Sequence, residues 1–454
     1  MALTVVCPAC KEHSELEADP APDDEKSAGK KCPACGAPLE ASSGEDPNED
    51  SLPDVQPAPL GLDPAAMHPI ARVGRYLLFD EFARGGMATV HLGRLDGAGG
   101  FSRVVAIKRL HTHLLKDAEF TRMLLKEARL AARIRHPNVI PMLDVVSDAG
   151  EVLLVMEYVD GESLSPVCRR LAKQYREVPF DIVTRVMADV LNGLHAVHEA
   201  VDEKGERIGL IHRDVSPQNI MVGTEGAGRV FDFGVAKAMQ HVEHTAPHRI
   251  KGKSAYMSPE QIRGETLTHH SDVFAAGIVT WEFITLRRLF GAANEHDRMD
   301  RIQAGHYPAP SERRDGVPEA LDRVVMKALA LDPADRFDTA QEFAEALEEA
   351  VRPATPRQVA EWLRPAVSDS LEHRARLMNM VETWGGSTRE AAEEAARVVA
   401  ERVSMVSIHD GLGDGVRTVA KSRSNRTLTF VIVALVGCIV IALAVAAVTG
   451  TLAP

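Results

Sequence analysis

Apolar and polar positions alternate along residues 76–82, 89–95 and 104–110, a period of two that predicts three strands with one face buried. Between 119 and 135 the period lengthens. Phe120, Leu124, Ala128, Ala131 and Ile134 fall on one side of a helix, and Glu127 lies beside that side. Val183, Val186, Val190, Leu194 and Val197 mark a second buried helical face, followed by a polar turn over 202–207. Residues 211–222 read as two short apolar runs around a polar knot, which predicts two small strands presenting a loop. Further on, 358–381 and 388–406 carry Ala, Glu, Arg and Leu at helical spacing, as a stalk or a solvated helix pair would. Residues 428–448 are then apolar without a charge, long enough to cross a bilayer as a helix. Arg417, Lys421, Arg423 and Arg426 stand just before it, which puts the bulk of the chain on the cytoplasmic side. Because few residues follow that helix, any signal is expected to arrive from the cytoplasm.

Composition narrows the picture. With 454 residues, 26% charged and 45% hydrophobic, the chain can hold two or three domains and a large core. A formal net charge of −13 argues against a nucleic-acid partner held by phosphate contacts. No cationic, apolar leader opens the chain, so no signal peptide is expected. Four of the six cysteines form two CPAC pairs, Cys7 with Cys10 and Cys32 with Cys35. Two such knuckles about twenty residues apart can hold Zn²⁺ tetrahedrally in a reducing compartment. The segment from 37 to 71 has no Lys or Arg and carries prolines at 38, 47, 53, 57, 59, 64 and 69, the composition of an extended, disordered tether.

Two stretches carry candidate chemistry. The loop inside 211–222 presents Asp214 and, five residues on, Asn219. A carboxylate can orient a hydroxyl and accept its proton while an amide oxygen holds Mg²⁺, the two tasks of phosphoryl transfer. Residues 83–88 (ARGGMA) form a Gly-rich hairpin in which Gly85 and Gly86 let backbone N–H groups approach phosphate oxygens. Lys108 ends the third strand on the face opposite Val105 and Ile107, and Glu127 is the carboxylate best placed to pair with it.

Residues 105–108 (VAIK), Glu127, 136–138 (HPN), 212–219 (HRDVSPQN), 232–234 (DFG) and 258–260 (SPE) occur in the order and spacing of the eukaryotic-like, Hanks-type serine/threonine protein kinases of bacteria, and the resemblance covers roughly 76–351. It implies an α+β, bilobal fold: a small lobe with a five-stranded antiparallel sheet and one long helix, and a larger helical lobe. ATP with Mg²⁺ or Mn²⁺ would sit between them, lined by Ala83, Gly85, Gly86, Val90, Ala106 and Lys108. Met156 would be the gatekeeper, and Glu157 to Val159 the hinge that binds adenine. Asp214 would orient the attacking hydroxyl, Asn219 and Asp232 would hold metal, and Lys108, fixed by Glu127, would grip the phosphates. Asp272 would brace the catalytic loop, and Arg336 would pair with Glu260. In the activation segment, 232–260, Thr245, Ser254 and Tyr256 are the hydroxyls before Ser258, and Arg213 is the residue that pairs with an activation-loop phosphate in the family.

Two positions depart from the family. The Lys usual two residues after the catalytic Asp is Ser216, and the Thr usual after Gly252 is Lys253. The charge has changed places in this reading, with Lys253 reaching back to act at the γ-phosphate.

The expected organisation is a zinc ribbon at 1–39, a linker at 40–74, the kinase domain at 75–352, a helical juxtamembrane region at 353–426 and a transmembrane helix at 427–450. The expected protein is a single-pass kinase of the inner (cytoplasmic) membrane that phosphorylates protein substrates, with a homodimer serving autophosphorylation. A nucleotide-binding pseudokinase scaffold is the alternative.

Overall fold

The computed structural model of the chain describes residues 2–6, 13–17, 69–84, 88–97, 101–148, 150–233, 253–291 and 294–384. Strands β1 (Ala2–Val6) and β2 (His13–Glu17) form an antiparallel hairpin, with Ala2 opposite Glu17 and Val6 opposite His13. Cys7, Cys10, Cys32, Cys35, the second predicted helix at 388–406 and the apolar run at 428–448 lie outside the described residues. Among the described residues no helix is long and apolar enough to cross a membrane, and no group of three or more His, Cys, Asp or Glu could hold a metal ion.

The small lobe is a sheet of β3 (Ala71–Val73), β4 (Tyr76–Arg84), β5 (Ala88–Asp96), β6 (Ser102–Leu110), β7 (Met142–Asp148) and β8 (Glu151–Glu157). Its order is β3-β4-β5-β6-β8-β7, antiparallel throughout. The predicted alternation is real: Tyr76 and Leu78 pack with Val105, Ile107, Leu153 and Val155 on one face, Leu77 and Phe79 with Leu92 and Val104 on the other. The sheet has six strands instead of five. The extra one, β3, pairs Ala71 with Leu78 and Val73 with Tyr76 through a turn in which Gly74 takes φ +56°, so order begins inside the segment expected as linker. Helix α1 (Ala118–Ala131) starts where Asp117 accepts hydrogen bonds from the N–H groups of Glu119 and Phe120, and it packs Phe120, Leu124 and Ala128 on Leu110, Val152 and Leu154.

The large lobe holds α2 (Leu164–Lys173), α3 (Phe180–His198), α4 (Pro259–Ile262), α5 (His269–Thr285), α6 (Glu295–Ala304), α7 (Glu319–Ala328), α8 (Ala340–Ala350) and α9 (Pro356–Thr383). All five residues of the predicted α3 face are fully buried. Helix α5 is buried on every side from Ser271 to Ile284, with Ser271, Asp272 and Glu282 hydrogen-bonded among its apolar residues, and it forms the post on which the lobe is built.

The pair of strands expected around the polar knot is half right. Residues 220–223 form β10 (Ile220–Gly223), which pairs with β9 (Gly161–Ser163) and β11 (Gly228–Val230), but no strand precedes the loop. The upstream arm is held by a side chain instead, Asp272 of α5, whose carboxylate accepts from the N–H groups of His212 (2.7 Å) and Arg213 (2.8 Å). Those bonds replace the ladder a strand would supply.

Candidate active site

The cleft side chains come from three supports: β6 of the small lobe, the loop braced by Asp272, and the segment after β11. Asp272 is 1% exposed, and its Oδ2 also meets His198 Nε2 at 2.7 Å. Burial alone would raise the pKa of that carboxyl, but the hydrogen bond and charge of His198, the charge of His212 and the Arg213 N–H more than offset it, so the group stays anionic. The brace holds Arg213 at φ +66°, while Asp232 sits at φ +70°. For residues with a Cβ such geometry costs on the order of 1–2 kcal/mol each, a strain that clusters where side chains must be aimed.

Asn219 ends a short 3-10 turn, Pro217–Asn219, whose backbone closes on the Ser216 carbonyl at 3.0 Å. Its Nδ2 donates to the Asp214 carbonyl (2.7 Å) and to Asp214 Oδ2 (3.0 Å), which fixes the amide so that its oxygen is the atom that would meet a metal ion. The Phe231 N–H donates to the Asn219 carbonyl at 3.1 Å, tying this loop to the one that carries Asp232. An amide oxygen and a carboxylate are hard donors of the kind Mg²⁺ takes, so Asn219 and Asp232 fit the expected metal chemistry. The His212 ring stands 6.1 Å from that of Phe233 and meets the Phe231 carbonyl at 3.0 Å.

Lys108 reaches the cleft from β6, paired in register with Val90 on one side and Leu154 on the other. Its Nζ donates to Asp232, 2.6 Å from Oδ1, and not to Glu127 as expected. Two carboxylates compete for this cation. Asp232 presents both its oxygens to the Lys, whereas Glu127, 4% exposed, acts electrostatically on the guanidinium of Arg213. Burial lowers the Arg213 pKa and the Glu127 charge opposes that shift.

Ala106 stands opposite Met156 across β6 and β8, and Ala83 opposite Val90 across β4 and β5, so these four expected lining residues share one sheet. Gly85 and Gly86 lie outside the described residues. In the hinge, the Glu157 N–H is committed to the Pro141 carbonyl at 3.0 Å, so this donor does not serve adenine. The Glu157 side chain accepts from Arg103 at 3.0 Å.

Thr245 also lies outside the described residues, as does the side chain of Lys253. Ser254 is fully buried, its Oγ 3.0 Å from Arg298 Nη1, a poor position for accepting a phosphate. Tyr256 is committed too. Its hydroxyl donates to Glu282 Oε2 (2.7 Å) and accepts from Arg288 Nη1 (2.5 Å), and burial followed by the Glu282 charge drives its pKa well above 10. Glu282, Arg288 and Arg298 anchor the end of the activation segment, and the sequence reading passed over them. A signal was present: Glu282 is an acid inside the apolar run of α5, and buried acids are rare unless paired. Glu260 and Arg336 pair as expected, Nη1 to Oε1 at 2.8 Å and Nη2 to Oε2 at 2.9 Å.

The protein kinase domain family matches residues 79–347. The chain is 39% identical over 275 residues to a protein named tyrosine-protein kinase MasK from Myxococcus xanthus, an alignment covering 61% of this chain and 43% of that one. It is 35% identical over 280 residues to serine/threonine-protein kinase PknB of Mycobacterium leprae, covering 59% and 42%. With serine/threonine-protein kinase PknL of Mycobacterium tuberculosis it shares 33% identity over 305 residues, covering 66% and 71%. The chain thus spans about two fifths of the length of MasK and PknB. Among solved structures, the PknI kinase domain of M. tuberculosis is 24% identical with a TM-score of 0.48, covering 63% of this chain and 100% of that one.

Proposed function

The chain belongs to the protein kinase family, and from that premise we propose that it transfers the γ-phosphate of Mg-ATP to serine or threonine hydroxyls of proteins. The observation that carries this reading is the convergence of Lys108 on Asp232 at 2.6 Å and of Asn219 on Asp214 at 2.7 and 3.0 Å, with the Phe231–Asn219 bond joining the two pairs. Asp214 orients the acceptor hydroxyl and takes its proton. Asn219 and Asp232 are the residues that would hold Mg²⁺, which supplies charge neutralisation at the phosphates. With a metal ion on Asp232, Lys108 would be released towards the phosphates, since both cations compete for the same carboxylate oxygens.

Incubating the full chain with labelled ATP and a generic protein acceptor, followed by acid hydrolysis, tests the reading. Label on phosphoserine or phosphothreonine supports it, and nucleotide binding without transfer favours the pseudokinase scaffold. Tyrosine is the second acceptor to look for, because MasK is named a tyrosine-protein kinase and Ser216 stands where serine/threonine kinases usually carry Lys. Label confined to phosphotyrosine sinks the serine/threonine assignment.

Lys253 supplies, in this reading, the cation that Ser216 lacks. Support comes from the sequence alone, where Ser216 stands at the usual Lys position two residues after Asp214 and Lys253 at the usual Thr position after Gly252. A cation of this kind near the γ-phosphate contributes on the order of 2–3 kcal/mol to the transition state. Lys253→Ala is therefore expected to slow transfer by roughly 30- to 160-fold with nearly unchanged nucleotide affinity. A parental rate in that variant rules the idea out.

The cysteine spacing supports a zinc ribbon on Cys7, Cys10, Cys32 and Cys35, and the apolar run with its basic flank supports a single span at 427–450 with the kinase domain in the cytoplasm. Zinc content before and after Cys→Ser changes tests the first. Partitioning of the full chain into vesicles, against a chain ending at 426, tests the second. Autophosphorylation through a homodimer, read as a rate that rises with the square of concentration, remains part of the proposal.

A further inference from the structure

Helix α9 begins beyond the family segment and touches both lobes. A capping box of Thr355 and Gln358 starts it, and Val359, Leu363, Ala366 and Val367 bury its first half in the large lobe. Its first turn sits on the β10–β11 hairpin: a Cβ on Gly226 (φ +88°) would lie 1.8 Å from the Pro356 carbonyl oxygen. That hairpin runs from Asn219 to Asp232, the two expected metal ligands.

The middle of the helix grips the segment leaving the hinge. Glu162 of β9, three residues past Val159, accepts at Oε2 from Ser370 Oγ (2.8 Å), Arg374 Nη2 (2.8 Å) and Arg170 Nη1 (3.3 Å). The Glu162 and Arg374 side chains are only 12% and 13% exposed. The far end reaches the small lobe. Leu377 and Val381 are fully buried against Leu77, Phe79, Leu92 and Val104, and Trp384 meets Phe79 edge-on at 6.3 Å. Arg94 of β5 donates to the Trp384 carbonyl at 2.6 Å and to that of Val381 at 3.3 Å. Tyr158, inside the hinge, packs in the same cluster with Met378 and Trp384.

One rigid element is thus fastened above, below and at the hinge between the lobes. Any rotation of the small lobe must slide its sheet past Leu377 and Val381 or pull Glu162 from Arg374. Pro365, which has no N–H to return to the Glu361 carbonyl, sits within the part of the helix seated on the large lobe, between Leu363 and Ala366.

We propose that α9 is an interlobe strap that sets the nucleotide-binding hinge, with Arg374 and Glu162 as positioning residues for ATP. The claim rests on the kinase reading. Seated, the strap holds residues 157–162 in one arrangement, so the cleft binds ATP without first ordering its own hinge. Unseated, the lobes rotate more freely and part of the binding energy goes into closing them.

Two full-length variants test this, Arg374→Met, which keeps an apolar stem, and Arg94→Met, which releases the other end. Amide exchange without nucleotide is expected to rise about tenfold over 157–163 in Arg374→Met and over 77–82 in Arg94→Met. KM for ATP should rise roughly fivefold or more in both, with kcat within about twofold of the parent. Arg374→Lys should restore most of the ATP affinity. A strap that only adds stability predicts another pattern: a lower unfolding midpoint with parental KM and hinge exchange. That outcome, or unchanged exchange in both variants, overturns the proposal. A parent that shows no phosphotransfer, while hinge exchange still responds to the variants, removes the kinase reading and leaves the strap in place.

Discussion

Asp214→Asn is expected to cut phosphotransfer from labelled ATP by roughly 100- to 10,000-fold, the span associated with a positioned general base. The substitution is nearly isosteric. The amide oxygen of Asn can still accept from Asn219 Nδ2, and the backbone bond from that nitrogen to the residue 214 carbonyl at 2.7 Å is untouched. The loop is braced from elsewhere, by Asp272 on the N–H groups of His212 and Arg213. Nucleotide affinity should therefore stay within about threefold of the parent. A variant that binds ATP normally and transfers at more than a tenth of the parental rate would show that the proton goes elsewhere.

The second large effect falls on stability. Arg336→Met should destabilise the kinase domain by about 3–5 kcal/mol, because it strands Glu260 in the core as an unpaired charge. The bidentate pair is 0% and 4% exposed at the side chains, and Ser271 Oγ also donates to Glu260 at 2.6 Å. Burial pushes the Glu260 carboxyl up, but the bonds from Arg336 and Ser271 outweigh it and bring the pKa down to about 2. A folded pKa below the unfolded value near 4.5 gives stability that is present above that value and lost as pH falls from about 4.5 towards 2. Urea unfolding of parent and variant at pH 7 and pH 4 checks both points. The variant should show the lower midpoint at pH 7 and the shallower decline on acidification. Equal midpoints at pH 7 would mean the pair is neutral.

Much of this molecule is written locally and can be read there. The faces of α1 and α3 and the three long strands follow from spacing, because a helix or strand needs only its own residues to display a stripe. The chemistry of 212–219 was legible for the same reason, with both functional groups carried on one short loop. Long-range pairings were not. Lys108 had two carboxylates within reach of any sequence argument, and its partner Asp232 stands 124 residues on. Ile211 looks like a strand residue, but its arm is held by Asp272, some sixty positions on. Helix α9 was visible as a helix, whereas its partners were not, since Glu162 and Arg374 stand 212 residues apart. β3 was hidden by three residues of edge strand at the end of a Pro-rich run.

The seat of α9 also bears on where this domain can be divided. The family segment ends at residue 347, before the helix begins. A polypeptide severed there would present Leu77, Phe79, Leu92 and Val104 to water as one contiguous greasy surface, together with the large-lobe residues that Val359 and Leu363 cover. Surfaces of that kind drive self-association. The unit that keeps these surfaces covered is therefore longer than the family pattern and includes Trp384.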